Sequence, residues 1–142
     1  MIVQADSSYL VALHVLDRHS TNALARLSQL PQILVTPFHQ VELANAFYRC
    51  VFRSSLTESE AARAWKRFMG DVEAGTLGQV QFPDSAWKLG ASLAPRSCPT
   101  LGVRTLDSLY VACALELRAD RFWTFDERQA MLAEAVGLNT RA

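Results

Sequence analysis

Four carboxylates stand where they could share one cation. Asp6 follows the apolar run Met1-Ile2-Val3-Gln4-Ala5, and Asp126 follows Arg121-Phe122-Trp123-Thr124-Phe125. Glu42 lies one turn into the helical pattern behind Ile33-Leu34-Val35, and Asp107 sits in the segment from Thr105 to Leu115, which is otherwise almost wholly apolar. Carboxylates gathered at one point raise each other's pKa and stabilise no fold by themselves. An all-oxygen set does suit a hard cation, Mg2+ or Mn2+. Such a cation orients a phosphodiester, polarises its oxygen and acidifies an attacking water, so no covalent nucleophile is required. The hydroxyls of Ser7 and Thr124 could hold these carboxylates in place. Asn45 could orient Glu42 or donate to a substrate, and Arg49, Arg104 and Arg128 are candidates for contact with a phosphate backbone.

Each acid also has a plainer reading when taken singly. Asp6 and Asp126 both open helices, where an aspartate caps orphan N–H groups. Glu42 could be a solvated helix position. Asp107, whose i+3, i+4 and i+7 neighbours are Tyr110, Val111 and Ala114, would meet its desolvation cost by pairing with Arg104. Ser7 and Thr124 could equally be a capping and a strand residue, and the three arginines solvated surface or ion-pair residues.

The elements that must position these groups alternate along the chain. The spacing predicts strands at Met1 to Ala5, Ile33 to Val35, Val80 to Phe82 and Arg121 to Phe125. Between them lie helical patterns from Ser7 through Leu16, from Ser20 to Leu30 and from Phe38 to Phe52, the last opened by the cap-and-proline pair Thr36-Pro37. The clearest helix runs from Leu56 to Val72, where Thr57 and Glu60 have capping-box spacing. Asp84 is placed to cap a helix through Leu93, and the segment from Ala94 to Arg104, with Pro95, Pro99 and Gly102, reads as a loop. Helices from Thr105 to Arg118 and from Asp126 to Val136, closed by Gly137, complete the chain. Strands separated by helices should be parallel. The expected fold is therefore α/β in three layers, a central parallel sheet of about four to five strands with helices on both faces. In such a sheet the site lies beyond the carboxyl ends of the strands, where all four acids fall.

Composition bounds the function. The chain has 142 residues, 50% of them hydrophobic and 20% charged, which fits a single globular domain over residues 1–142 and excludes a disordered tail or a fibre. Fourteen basic and fourteen acidic residues give a formal net charge of zero, against nucleic-acid binding through a broad basic surface. Lys66 and Lys88 are the only lysines, so the positive charge is nearly all guanidinium, the group that grips phosphate bidentately. A codon bias toward arginine gives the same count. Three cysteines, Cys50, Cys98 and Cys113, without a C-x-x-C pair suggest neither a disulfide framework nor a cysteine zinc site. No apolar run approaches the roughly 20 residues of a membrane span, and no leader-like start is visible, so a cytoplasmic protein is expected.

Taken together, Asp6-Ser7-Ser8, Val41-Glu42-Leu43-Ala44-Asn45, the block Arg104-Thr105-Leu106-Asp107-Ser108-Leu109-Tyr110-Val111-Ala112 and Thr124-Phe125-Asp126-Glu127-Arg128-Gln129 resemble PIN-domain ribonucleases. Among these the resemblance is greatest to the VapC toxins of bacterial type II toxin–antitoxin pairs. It covers essentially the whole chain and is most specific in the C-terminal third, through Ala133 and Gly137-Leu138. The resemblance implies a Mg2+- or Mn2+-dependent endoribonuclease that cuts single-stranded or looped RNA, tRNA or ribosomal RNA among the targets, leaving a 5′-phosphate and a 3′-hydroxyl. Carried over by position, Asp6 and Asp107 would be the principal metal ligands, with Glu42 and Asp126 completing the acidic pocket and positioning water. The resemblance further implies a homodimer and a VapB-like antitoxin whose C-terminal segment blocks the pocket. Some relatives place a further acid beside the last aspartate; here that neighbour is Glu127.

Other readings lack their residues. A receiver domain needs an acidic pair after its first strand and a lysine after its last, but Ser7 and Ser8 follow Asp6 and neither lysine is near the last strand. A haloacid-dehalogenase-type phosphatase needs an aspartate two residues after its nucleophile, where this chain has Ser8. His14 and His19 are five apart and His39 stands alone, which reads as helix surface rather than a metal site. Two rivals remain on the same fold: a non-catalytic module kept for RNA or protein contact, whose signature would be loss of acids, and a housekeeping RNA-processing nuclease without an antitoxin.

Overall fold

A computed structural model describes residues 1–141; the expected domain boundary at Ala142 lies outside the described residues. Strands β1 (Ile2–Ala5), β2 (Gln32–Val35), β3 (Leu77–Gln79) and β4 (Arg121–Trp123) form one parallel sheet in the order β3-β2-β1-β4. In register, Val3 lies opposite Ile33 on one side and Arg121 on the other. Side chains alternate across a strand, and the core divides accordingly. Val3, Ala5, Ile33, Val35, Leu77 and Trp123 pack on one face with helices α1 (Ser7–His14), α2 (Ser20–Leu27), α3 (Pro37–Phe52) and α4 (Glu58–Glu73). Phe122 packs on the other face with α5 (Asp84–Leu101), α6 (Thr105–Glu116) and α7 (Glu127–Ala135). This is the expected three-layer α/β arrangement, with four strands among the described residues. No helix among them is long and apolar enough to cross a membrane.

Local chemistry explains the helix ends. Thr57 caps α4 by accepting the Glu60 N–H at 3.1 Å, while Glu60 accepts the Thr57 N–H at 2.8 Å. In α3, Pro37 takes the first position, and the His39 ring accepts the Thr36 N–H through Nδ1 at 3.0 Å. Helix α6 is buried without interruption from Asp107 to Ala114, which is why its sequence shows no amphipathic stripe.

Three expectations are corrected. The segment from Ala94 is no loop, because α5 continues to Leu101 with Pro95 and Pro99 inside it. Both prolines lie on the exposed face, where water can take the carbonyls they free, while Leu93 and Ser97 hold the buried face. The helix ends at Gly102, whose φ of +61 is the left-handed cap that glycine adopts at no steric cost. It is opened by Pro83 at the cap position, with Asp84 in the first turn. The third strand is Leu77–Gln79 rather than Val80 to Phe82, although the Val80 N–H still bonds the Val35 carbonyl at 2.9 Å. Finally, His14 and His39 are buried, not surface residues. His14 Nε2 meets Asp71 of α4 at 2.9 Å and Nδ1 meets the Leu10 carbonyl at 2.7 Å. Burial pushes His39 down to about 3, so it packs as a neutral ring, and its Nε2 lies 3.2 Å from the Ala5 carbonyl.

Candidate active site

Asp6 is placed by the central strand. Its N–H extends the β1/β4 ladder by donating to the Trp123 carbonyl at 3.1 Å, so its side chain emerges at the carboxyl end of the sheet. It does cap α1, accepting the Tyr9 N–H at 3.0 Å, but capping leaves its other partners to explain. The Ser8 hydroxyl donates to Oδ1 and the Thr124 hydroxyl to Oδ2, each at 2.7 Å. At 3% exposure the carboxyl is pushed up to about 6, chiefly by burial and further by the charge of Asp126, against the lowering effect of its three donors. A group so held is oriented and short of positive charge at once.

The other acids arrive on neighbouring elements. Asp126 caps α7 by accepting the Gln129 N–H at 3.0 Å, and its own N–H donates to Thr124 Oγ1 at 2.9 Å, so one threonine links two of the acids. Asp107, 8% exposed in the first turn of α6, accepts the Arg104 N–H at 2.9 Å. Arg104 Nε lies 3.6 Å from the same carboxylate oxygen, so the pairing that the sequence allows is formed. Glu42 Oε2 accepts the Tyr110 hydroxyl at 3.4 Å. The buried Tyr110 is held well above its ordinary pKa, first by burial and then by the charges of Glu42 and Asp6, and so stays a proton donor.

All four carboxylates line one open cavity of about 540 Å³, together with Ser7, Ser8, Arg49, Arg53, Arg104 and Gln129. Among the described residues, no three His, Cys, Asp or Glu side chains form a ready-made metal-ligand group. In donor chemistry the set nevertheless fits a hard divalent cation. It is all oxygen, and of the four acids Asp107 alone has an ion pair among the described residues, to Arg104, which leaves most of the set's charge for a cation.

The sequence candidates separate clearly here. Arg49 and Arg104 lie on the cavity wall, and Thr124 stands behind it as the hydroxyl that bonds Asp6 and Asp126. Ser7 is on the wall, but the hydroxyl that holds Asp6 is that of Ser8. Asn45 is exposed and absent from the wall, because at i+3 from Glu42 it turns outward while Ala46, Arg49 and Arg53 face the cavity. Arg128 lines an adjoining hollow instead. Ser8, Arg53, Tyr110 and Gln129 join the site without having stood out in the sequence. The spacing of Glu42, Arg49 and Arg53, at i, i+7 and i+11 on one helix face, is the legible signal for Arg53.

The structure therefore has a three-layer α/β fold with an acid-lined cavity at the carboxyl edge of its parallel sheet. The family model for the PIN domain matches residues 4–135, and the chain belongs to that family. Among solved structures it is similar to VapBC2 from Rickettsia felis bound to a DNA fragment from its promoter, at 14% identity and TM-score 0.68, covering 99% of this chain and 98% of that one. It is similar to Mycobacterium tuberculosis VapC20, a toxin that cleaves the sarcin-ricin loop, at 15% identity and TM-score 0.65, covering 97% and 96%. FitAcB from Neisseria gonorrhoeae matches at 14% identity and TM-score 0.62, covering 100% and 97%. At these identities the likeness is one of fold. Comparison with curated protein sequences returned no match.

Proposed function

We propose that this chain is a single PIN domain acting as a metal-dependent endoribonuclease, the toxin of a type II toxin–antitoxin pair. The observation that carries the reading is the convergence of Asp6, Glu42, Asp107 and Asp126 on one cavity with Arg49, Arg53 and Arg104 on the same wall. Carboxylates alone would repel a phosphate, so an acid cavity edged by guanidinium groups suits a phosphodiester that arrives with a divalent cation. Asp6 and Asp107 would hold Mg2+ or Mn2+, with Glu42 and Asp126 completing the set. The ion would supply positive charge to the phosphodiester oxygen and acidify the attacking water.

The protein's own contribution is orientation. Ser8, Thr124 and the Tyr9 N–H fix the Asp6 carboxylate, and Thr124 ties it to Asp126. Tyr110 holds Glu42 toward the cavity. Water adds to phosphorus and gives its proton to a carboxylate of the set. The bond from phosphorus to the 3′-oxygen breaks, and that oxygen takes a proton from bulk water while the carboxylic acid returns its own to solvent, leaving a 3′-hydroxyl and a 5′-phosphate. The arginines hold the flanking strand.

A protein partner is supported by Val41, Tyr48 and Phe52, which lie at i, i+7 and i+11 on α3 and leave an apolar stripe exposed. In the toxin reading a VapB-like antitoxin and a second copy of the chain are the partners, and the cytoplasm, where both RNA and antitoxin are found, is the compartment. The fold neighbours VapBC2 and VapC20 carry toxin names that support this reading. The test is cleavage of structured RNA with Mn2+ and with EDTA by the native chain, Asp6→Asn and Asp107→Asn. Cleavage confined to the native chain with Mn2+ is expected, and equal cleavage in every arm would sink the mechanism. Expression without a partner should arrest bacterial growth; harmless expression of active enzyme would favour housekeeping RNA processing.

A further inference from the structure

A series of aromatic rings leads from the core to the edge of the acid cavity. Buried Trp123 meets Tyr9 at 5.2 Å between centroids, Tyr9 meets Phe125 at 5.8 Å, and Phe125 meets His19 at 4.4 Å. The last pair is almost parallel, with an interplanar angle of 8°. Arg26 places its guanidinium 5.1 Å over Phe125, so that ring is committed to the protein. His19 ends the series and has no further ring partner among the described residues. It is partly exposed, and it is fixed by its backbone: its N–H donates to Asp17 Oδ1 at 2.7 Å. Arg18 Nε meets His19 Nε2 at 3.0 Å, an edge contact.

His19 and Phe125 line the acid cavity and also an adjoining hollow, whose other walls are Arg18, Asp126, Glu127 and Arg128. The ring series is also locked to the acids. Ser8 Oγ accepts the Phe125 N–H at 2.8 Å and donates to Asp6 Oδ1 at 2.7 Å. A flat ring ending an anchored stack, beside two arginines, has the chemistry that seats an unpaired nucleobase and the phosphate attached to it.

We infer that His19, backed by Phe125, is a stacking platform for one unpaired nucleobase beside the scissile phosphate, with Arg18 and Arg128 holding the phosphate on its far side. The inference rests on the RNA-cleavage reading and adds, to the single-stranded or looped target that the resemblance implies, a seat for one base next to the cut. A purine gains more ring overlap than a pyrimidine, so a purine is favoured there.

The probe is a nine-nucleotide uridine strand with 2-aminopurine riboside at its centre, whose fluorescence falls when the base stacks. It is titrated with Mg2+ present into Asp107→Asn protein, which leaves the strand uncut, and into the same protein carrying His19→Ala or His19→Phe. The expected result is saturable quenching with His19, its loss with about 10-fold weaker binding in His19→Ala, and recovery in His19→Phe. Annealing the strand to its complement should abolish the quenching. Equal quenching and affinity with and without the His19 ring, or no saturable binding by the parent, overturns the platform. Cleavage of the strand by the native chain with Mn2+ is measured in parallel. Cleavage without His19-dependent quenching removes the platform and keeps the nuclease, and the reverse removes the nuclease and keeps the platform.

Discussion

Replacing Asp6 by asparagine should stabilise the protein while destroying its proposed activity. Burial and the Asp126 charge raise the Asp6 carboxyl from 3.8 to about 6. Between those values the folded chain keeps a proton that the unfolded chain has lost. Stability therefore falls as pH rises through this window, and the penalty is complete above about pH 6. About two units at roughly 1.4 kcal/mol each give a penalty of about 3 kcal/mol. Asparagine carries no charge, and its carbonyl can still accept from the Tyr9 N–H and Ser8, while its amide can donate to Thr124, which also has Gln129 Oε1 within 3.3 Å. Some hydrogen-bond strength is lost in passing from carboxylate to amide, leaving a net gain of about 1–3 kcal/mol. At about 3 °C per kcal/mol for a domain of this size, the melting temperature near pH 8 should rise by about 3–9 °C. Circular-dichroism melts of both proteins in EDTA, from about pH 4 to about pH 8, measure this. The variant's advantage should fall by most of that penalty of about 3 kcal/mol toward pH 4, where Asp6 is protonated in the folded native chain, and so vanish or reverse sign. A variant less stable than the native chain near pH 8, or a difference that does not change with pH, would refute the reasoning.

Packing and hydrogen bonding dictate other outcomes. A Cβ on Gly90 of α5 would stand 3.2 Å from Leu109 Cδ2 and 3.8 Å from Ala112 Cβ of α6. Gly90→Val should therefore cost about 1–3 kcal/mol in denaturant unfolding, whereas Gly90→Ala, with a flexible leucine tip to displace and helix propensity gained, should be near neutral. Tyr110→Phe removes the hydroxyl that bonds Glu42, and steady-state cleavage should fall roughly 5- to 10-fold with the fold retained, at about 1 kcal/mol for the lost contact. Thr57→Ala opens the capping box of α4, whose residues are not on the cavity wall, and should lower stability by about 1 kcal/mol with cleavage unchanged.

The sequence makes legible whatever a single element dictates. Asp6 and Asp126 can be read because a strand end fixes both the backbone position and the direction in which the chain continues. Asp107 can be read because a carboxylate in an apolar segment demands a partner. Features that depend on the packing of several elements cannot. Pro95 and Pro99 look like breakers, yet both fall on the exposed face of α5, where the lost N–H groups cost least. Val80-Gln81-Phe82 alternates like a strand, but the pairing with β2 is made three residues earlier, through a segment whose glycine carries no pattern. Asn45 and Arg53 are separated only by helix phase, and Ser8 from Ser7 only by which hydroxyl meets a carboxylate held on another strand. His14 and His39 read as surface because neither Asp71 nor the Ala5 carbonyl is near them in sequence.

The zero net charge likewise hides a local arrangement, since five of the fourteen acids and four of the twelve arginines line one cavity. The central claim is that these four acids cut RNA with a divalent cation. Its most direct test is to strip the purified chain of metal, restore Mn2+, and analyse the ends of the RNA products from the native chain and from Asp107→Asn. Cleavage that returns only with Mn2+, only in the native chain, and leaves 5′-phosphate and 3′-hydroxyl ends is the predicted result. Cleavage that persists in EDTA or in Asp107→Asn, or products ending in a 2′,3′-cyclic phosphate, would contradict it.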